Sequence, residues 1–91
     1  MRTRLSPEQV RIRLREMTGW ELSGDAIRRR YAFQSFKESL AFVNRVAELA
    51  ERADHHPDIL IEYSKVTLTL STHDAAGLTE VDFALARSID A

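Results

Sequence analysis

Apolar positions along the chain change spacing several times, and each change marks an element. Val10, Leu14 and Met17 fall at i, i+4 and i+7, one face of a helix. Ser6-Pro7-Glu8-Gln9 starts that helix: Ser6 can cap, Pro7 suits the first helical position, and Gln9 sits where a capping box wants it. Met1 to Leu5 reads as a loose tail, and Thr18-Gly19 as the stop, with Gly19 in the left-handed region. Trp20-Glu21-Leu22 then forms a short strand, Ser23-Gly24-Asp25 a turn, and Ala26 to Phe33 a second strand. In that second strand Ile27, Arg29, Tyr31 and Phe33 share one face, while Arg28 and Arg30 take the other.

Gln34 to Asp54 carries the strongest helical pattern. Phe36, Leu40, Val43, Ala47 and Ala50 make one apolar stripe; Phe42, Val46, Leu49 and Ala53 make a second, roughly 110° around. An arc this wide exceeds what one helix needs to cover a sheet. One stripe is expected on the sheet and the other against a neighbouring helix, from this chain or another subunit. Asp54 continues the first stripe, with Glu51 one turn earlier beside it. Pro57 holds His56 extended and ends the helix. Ile59, Ile61 and Tyr63 alternate as a strand, Ser64-Lys65 turns, and Val66, Leu68 and Leu70 alternate against Thr67, Thr69 and Ser71. His73 is expected at that strand's end on its Thr face. Asp74 to Gly77 is a loop; Thr79 and Asp82 can cap a last helix whose buried side carries Val81, Leu85 and Ile89. The order is α-β-β-α-β-β-α, an α+β fold with a four-stranded antiparallel sheet and helices packed on one face. Residues 1–91 form a single domain.

Composition narrows the possibilities. Hydrophobic residues make up 44% and charged residues 30%, as in a folded protein. A chain of 91 residues buries only about 60–70% of its unfolded surface, so association with copies of itself is worth expecting. The net charge of -1 gives no basic field for nucleic acid. The absence of cysteine excludes disulfides, thiol nucleophiles and Cys-based zinc sites, and fits a reducing compartment. No apolar run approaches the ~20 residues of a membrane span, and no signal-peptide apolar region follows the N-terminal arginines. The three Arg28-Arg29-Arg30 side chains suit a solvated or edge strand better than a phosphate site.

The candidate chemistry lies in Glu51-Arg52-Ala53-Asp54-His55-His56-Pro57 together with His73. Histidine can give and take protons near neutrality, and carboxylates can fix its tautomer. The hairpin after Pro57 leads away from the histidine pair and back towards it, so His73 can join them. Other arrangements fit the same residues. His55, His56 and His73 can be ordinary solvated positions with Asp54 at the helix end. Three imidazoles and Glu51 can also bind zinc, although adjacent histidines lack the i, i+4 spacing of helical ligand pairs. A serine triad is disfavoured, since no G-x-S-x-G elbow is present and Ser71 is a plain strand serine.

At these positions the sequence resembles the pterin-4a-carbinolamine dehydratase family. The shared pattern is Glu51, three positions, His55-His56-Pro57, five positions, Tyr63, nine positions, His73, then Asp82. Gly19-Trp20, residues 69–73 and Ala76-Gly77-Leu78-Thr79 also resemble the family, and the likeness extends from about Leu5 to Ile89. The resemblance implies loss of water from 4a-hydroxytetrahydrobiopterin to give quinonoid dihydropterin, recycling the pterin of aromatic amino acid hydroxylases. It implies His55, His56 and His73 as catalytic residues, with His56 and His73 acting as acids at the hydroxyl and His55 as a binding or base residue. Glu51, Asp54, Asp82 and Trp20 are implied as substrate-binding, although Asp82 also suits a helix cap and Trp20 a core position. No metal or organic cofactor is expected. The implied partners are the pterin and copies of the chain, as a dimer through sheet edges or a tetramer through the long helices, with the second stripe serving the tetramer. The setting expected is cytoplasmic, with no membrane and no direct nucleic-acid contact. A non-catalytic alternative is a dimerisation partner or coactivator of a transcription factor, a role some animal members hold.

Overall fold

The computed structural model describes residues 2–91. The elements are α1 (Pro7–Arg15), β1 (Glu21–Ser23), β2 (Ala26–Ala32), α2 (Phe36–Ala53), β3 (Asp58–Glu62), β4 (Lys65–Leu70) and α3 (Glu80–Asp90), with a 3₁₀ turn at His73–Ala75. The four strands lie in the order β1-β2-β4-β3, and every pairing is antiparallel. The expected α+β architecture is therefore observed. Ile27 of β2 and Val66, Leu68 and Leu70 of β4 are buried on the side the helices cover. Val46 and Ala50 of α2 and Phe83, Leu85, Ala86 and Ile89 of α3 close the core over them.

Local chemistry sets several boundaries. The Ser6 hydroxyl accepts from Gln9 N at 3.2 Å and the Gln9 side chain accepts from Ser6 N at 2.8 Å, the reciprocal box read from the sequence. Ser35 caps α2 through one such bond, its hydroxyl accepting from Glu38 N at 3.2 Å, while the Glu38 side chain accepts from Gln34 N; the sequence pattern had not marked this cap. α1 ends at Arg15, short of Thr18; Gly19 still takes φ +92 in the turn beyond it. The hairpin loop is Tyr63-Ser64, one residue earlier than expected, because Glu62 pairs with Lys65. Tyr63 thus leaves the strand, adopts φ 57 and is 71% exposed. β4 stops at Leu70, so His73 opens the 3₁₀ turn instead of extending the Thr face.

Two expectations are overturned by packing. The stripe of Phe42, Val46, Leu49 and Ala53 faces the core, while Phe36 and Leu40 are exposed. Phe42 packs on Tyr31 and Phe33 at ring-centroid distances of 4.6 and 5.1 Å. The roles of the stripes are therefore reversed: the second covers the sheet, and the outer part of the first is left open. The tail is also not loose beyond Met1, which lies outside the described residues. Leu5 N donates to Leu78 O at 2.8 Å, and Leu5 packs on the core. Arg13 of α1 grips Glu80 of α3 with two bonds of 2.6 Å. That bidentate bond raises the guanidinium further and holds the Glu80 carboxyl below its ordinary range.

Candidate active site

The site begins where α2 ends. Asp54 takes φ 49, ψ 45, in the left-handed region. Asp54 N then donates to Glu51 O at 3.2 Å and His55 N to Ala50 O at 3.1 Å, a Schellman closure with Asp54 in the position usually held by glycine. Aspartate tolerates this conformation better than most residues. The closure turns the chain so that His55 enters the protein. Pro57 keeps the next step extended, and successive extended residues point to opposite sides. His55 is accordingly buried, at 6% exposure, while the His56 side chain is 58% exposed.

Each histidine of the adjacent pair meets a carboxylate. Arg2 Nη1 lies 3.1 Å from His55 Nδ1, and Asp82 Oδ1 lies 2.5 Å from His55 Nε2. A guanidinium can only donate, so Nδ1 accepts and Nε2–H donates to Asp82. Asp82 Oδ2 accepts from Thr72 Oγ1 at 2.8 Å and from Thr79 N at 2.9 Å. With its hydroxyl proton committed to Asp82, Thr72 accepts from Thr79 Oγ1 at 2.9 Å. Asp82 is fully buried, and its charge is matched by three donors and by its place in the first turn of α3. It caps the helix with one oxygen and holds a histidine with the other. Its side chain has no exposed surface. His56 Nε2 pairs with Glu51 Oε2 at 2.5 Å at the surface, leaving Nδ1 facing away from that carboxylate.

His73 is exposed, one residue beyond Thr72. Thr72 is bridged to Gly77 and bonded to Asp82, so the loop bearing His73 is tied to the carboxylate that holds His55. Asp58 of β3 pairs with Thr69 of β4, which brings the outgoing end at His56 level with the returning end beyond Leu70. Glu51, Asp54, His55, His56, His73 and Asp82 therefore gather at one end of the sheet. Trp20 does not join them: it is buried in the core and its indole N–H donates to Asp90 Oδ2 at 2.7 Å, at the opposite end of α3. Arg2 and Thr72 were not singled out from the sequence; only Thr72's place in the run before His73 hinted at a role. Among the described residues, no cluster of three or more His, Asp or Glu side chains could hold a metal ion. A cavity of about 470 Å³ opens elsewhere, lined by residues that include Arg4, Leu5, Val10, Leu22 and Leu78 but none of the histidines.

Fold and site together define a small α+β protein with two histidine–carboxylate pairs at one end of an antiparallel sheet. The chain belongs to the family described as Pterin 4 alpha carbinolamine dehydratase, whose model matches residues 3–91. It is 56% identical over 86 residues to a Thermomicrobium roseum protein named for pterin-4-alpha-carbinolamine dehydratase, covering 94% of this chain and 92% of that one. A Roseiflexus protein of the same name is 53% identical over 90 residues, covering 99% and 97%. Among solved structures, the transcriptional coactivator/pterin dehydratase from Brucella melitensis superposes with a TM-score of 0.92 at 36% identity, covering 97% of this chain and 96% of that chain. A pterin dehydratase-like protein described as a RuBisCO assembly factor in the alpha-carboxysome gives 0.68 at 27% identity, covering 81% and 88%. The family's named activity is that of a hydro-lyase. No described helix is long and apolar enough to cross a membrane.

Proposed function

We propose that the chain removes water from 4a-hydroxytetrahydrobiopterin, or a close pterin relative, by histidine acid/base catalysis. The carbon–oxygen bond at C4a breaks as a proton reaches the departing hydroxyl. A ring N–H gives up its proton as the carbon–nitrogen double bond forms, leaving quinonoid dihydropterin and water. The observation that carries this reading is the pairing of His55 and His56 with separate carboxylates at the family's motif positions. His56 and His73 are exposed and are assigned the proton transfers. His55 has both nitrogens engaged and is assigned to holding the site's form. Glu51 orients His56, and the exposed Asp54 carboxylate is available to pterin donor groups. Recycling pterin for an aromatic amino acid hydroxylase, in the cytoplasm, belongs to the same reading. The test is dehydration of chemically generated 4a-hydroxypterin. His56→Ala and His73→Ala should each lower turnover about 10²–10⁴-fold with the fold intact; unchanged turnover in both would sink the proposal. Turnover should also persist in chelator, where a zinc enzyme would lose it.

We further infer self-association. The apolar edge strand β3 exposes Leu60, and the outer face of α2 exposes Phe36 and Leu40, surfaces suited to a dimer and a tetramer. Light scattering should show an assembly that Leu40→Glu breaks, whereas Phe42→Glu should destabilise the subunit itself. The same open face of α2 supports the second reading, a non-catalytic partner protein, a role described for both structural relatives. Full activity with no binding partner recovered on this face would exclude it.

A further inference from the structure

We propose that Arg2 is a positioning residue that locks His55 in a single neutral tautomer. The proposal rests on the dehydratase reading for its consequence in turnover, but the lock itself is a property of the fold. The Arg2 guanidinium makes two bonds at once. Nη1 donates to His55 Nδ1 at 3.1 Å, and Nη2 donates to the Asp54 carbonyl at 3.0 Å. The Asp54 carbonyl is available because that residue's left-handed turn takes it out of the helical ladder. Arginine presents these donors in a rigid planar fork, so one contact sets the geometry of the other. The arm that carries Arg2 is itself fastened. Leu5 N binds Leu78 O, and the Arg4 side chain lies where a Cβ on Gly77 would meet its Nε at 2.8 Å.

The consequence for His55 is electrostatic. Its ring lies between two charged groups of opposite sign, the Arg2 guanidinium at Nδ1 and the Asp82 carboxylate at Nε2. A carboxylate alone favours the doubly protonated ring. The guanidinium opposes a second proton, because it needs the Nδ1 lone pair and carries a positive charge there. The proton is thereby held on the Asp82 side. Of the other side chains beside this assembly, Thr72 and Thr79 are neutral, that of Asp54 is exposed, and Glu51 is engaged with His56. Arg2 thus fixes the ring in the tautomer that donates to Asp82.

The experiment compares the full-length wild type with Arg2→Met and Arg2→Lys, using ¹⁵N NMR of ring-labelled histidine. The chain has three histidines, so His55 is assigned from a His55→Gln spectrum. Wild-type His55 should show a pyridine-like Nδ1 and a pyrrole-like Nε2. Arg2→Met should lose that single-tautomer pattern at neutral pH, and Arg2→Lys, with a donor but no fork, should restore part of it. In the dehydration assay, Arg2→Met should lower kcat while KM stays near the wild-type value, and Arg2→Lys should recover part of the loss. An unchanged His55 pattern in Arg2→Met would overturn the lock. A changed pattern with an unchanged kcat would overturn its role in turnover. A wild type without turnover would instead overturn the dehydratase reading, and the spectra alone would decide the lock.

Discussion

Helix α3 carries a carboxylate near each end, and the two are used differently. Asp82 in the first turn and Asp90 in the last are roughly 12 Å apart along the axis. Asp82 is fully buried and sits where the helix dipole favours negative charge. Asp90 sits where the dipole opposes it, and three donors surround it: Trp20 Nε1 at 2.7 Å, Tyr31 Oη at 2.5 Å and Arg29 Nη1 at 3.1 Å. Arg45 of α2 adds bonds to the Ile89 and Ala91 carbonyls, 2.9 and 3.0 Å away. The Asp90 partners are groups that hold their protons near neutrality. Asp82 has a histidine, His55, among its partners, together with Thr72 and the Thr79 N–H. A clustered carboxylate thus fastens an indole, a phenol and a guanidinium at one end and holds a histidine at the other, and the difference lies in what it binds.

The largest effect expected from breaking this contrast is at Asp82. Asp82→Ala leaves Thr79 N and His55 without their acceptor and should cost about 3–5 kcal/mol, or roughly 15 °C or more in Tm for a domain of this size. Urea and thermal unfolding measure it, and dehydration should fall with it even in the folded fraction. Equal unfolding midpoints for wild type and variant would break the comparison at its stronger end.

Asp90→Ala should cost less, about 1–3 kcal/mol, since it removes charge-assisted bonds at a more open site. Turnover per folded molecule should stay near the wild-type value. Trp20, the single tryptophan, should report the change by a shifted emission. Loss of dehydration comparable to that of Asp82→Ala would show that the two ends are coupled after all.

The smallest effect is a pH dependence at the Asp90 end. Burial, then the bond to Asp90, pushes the Tyr31 phenol above its ordinary value. The folded chain therefore keeps a proton that the unfolded chain releases above pH ~10. This contribution is full below that pH and declines as pH rises through and beyond it. Unfolding followed from pH 9 to 11 should show stability falling more steeply in wild type than in Tyr31→Phe. Parallel curves would remove Tyr31 from the account.

Much of the fold was legible because its cues are short-range. The Ser6–Gln9 box, the Val66-Leu68-Leu70 alternation and Pro57 act within a few residues, and each is found as read. The motif residues from Glu51 to Asp82 likewise come to one end of the sheet, except Tyr63, which lies at the opposite hairpin tip. The sequence left other matters open. A helical wheel gives the angle between two stripes of α2 but not which one turns inward; the aromatic shelf of Tyr31 and Phe33 chose the stripe with Phe42. Nor does local pattern reveal that Asp90, an unremarkable terminal residue, would collect Trp20, Arg29 and Tyr31.

The sequence by itself determined the element order, the turn that sends two adjacent histidines to opposite sides, and the supply of carboxylates near them. Only the tertiary structure decided the pairings: His55 with Asp82 across 27 residues, and Arg2 with His55 across 53. Periodicity and capping are set by neighbours along the chain. Which nitrogen of a ring keeps its proton is set by the charges that packing places on either side of it.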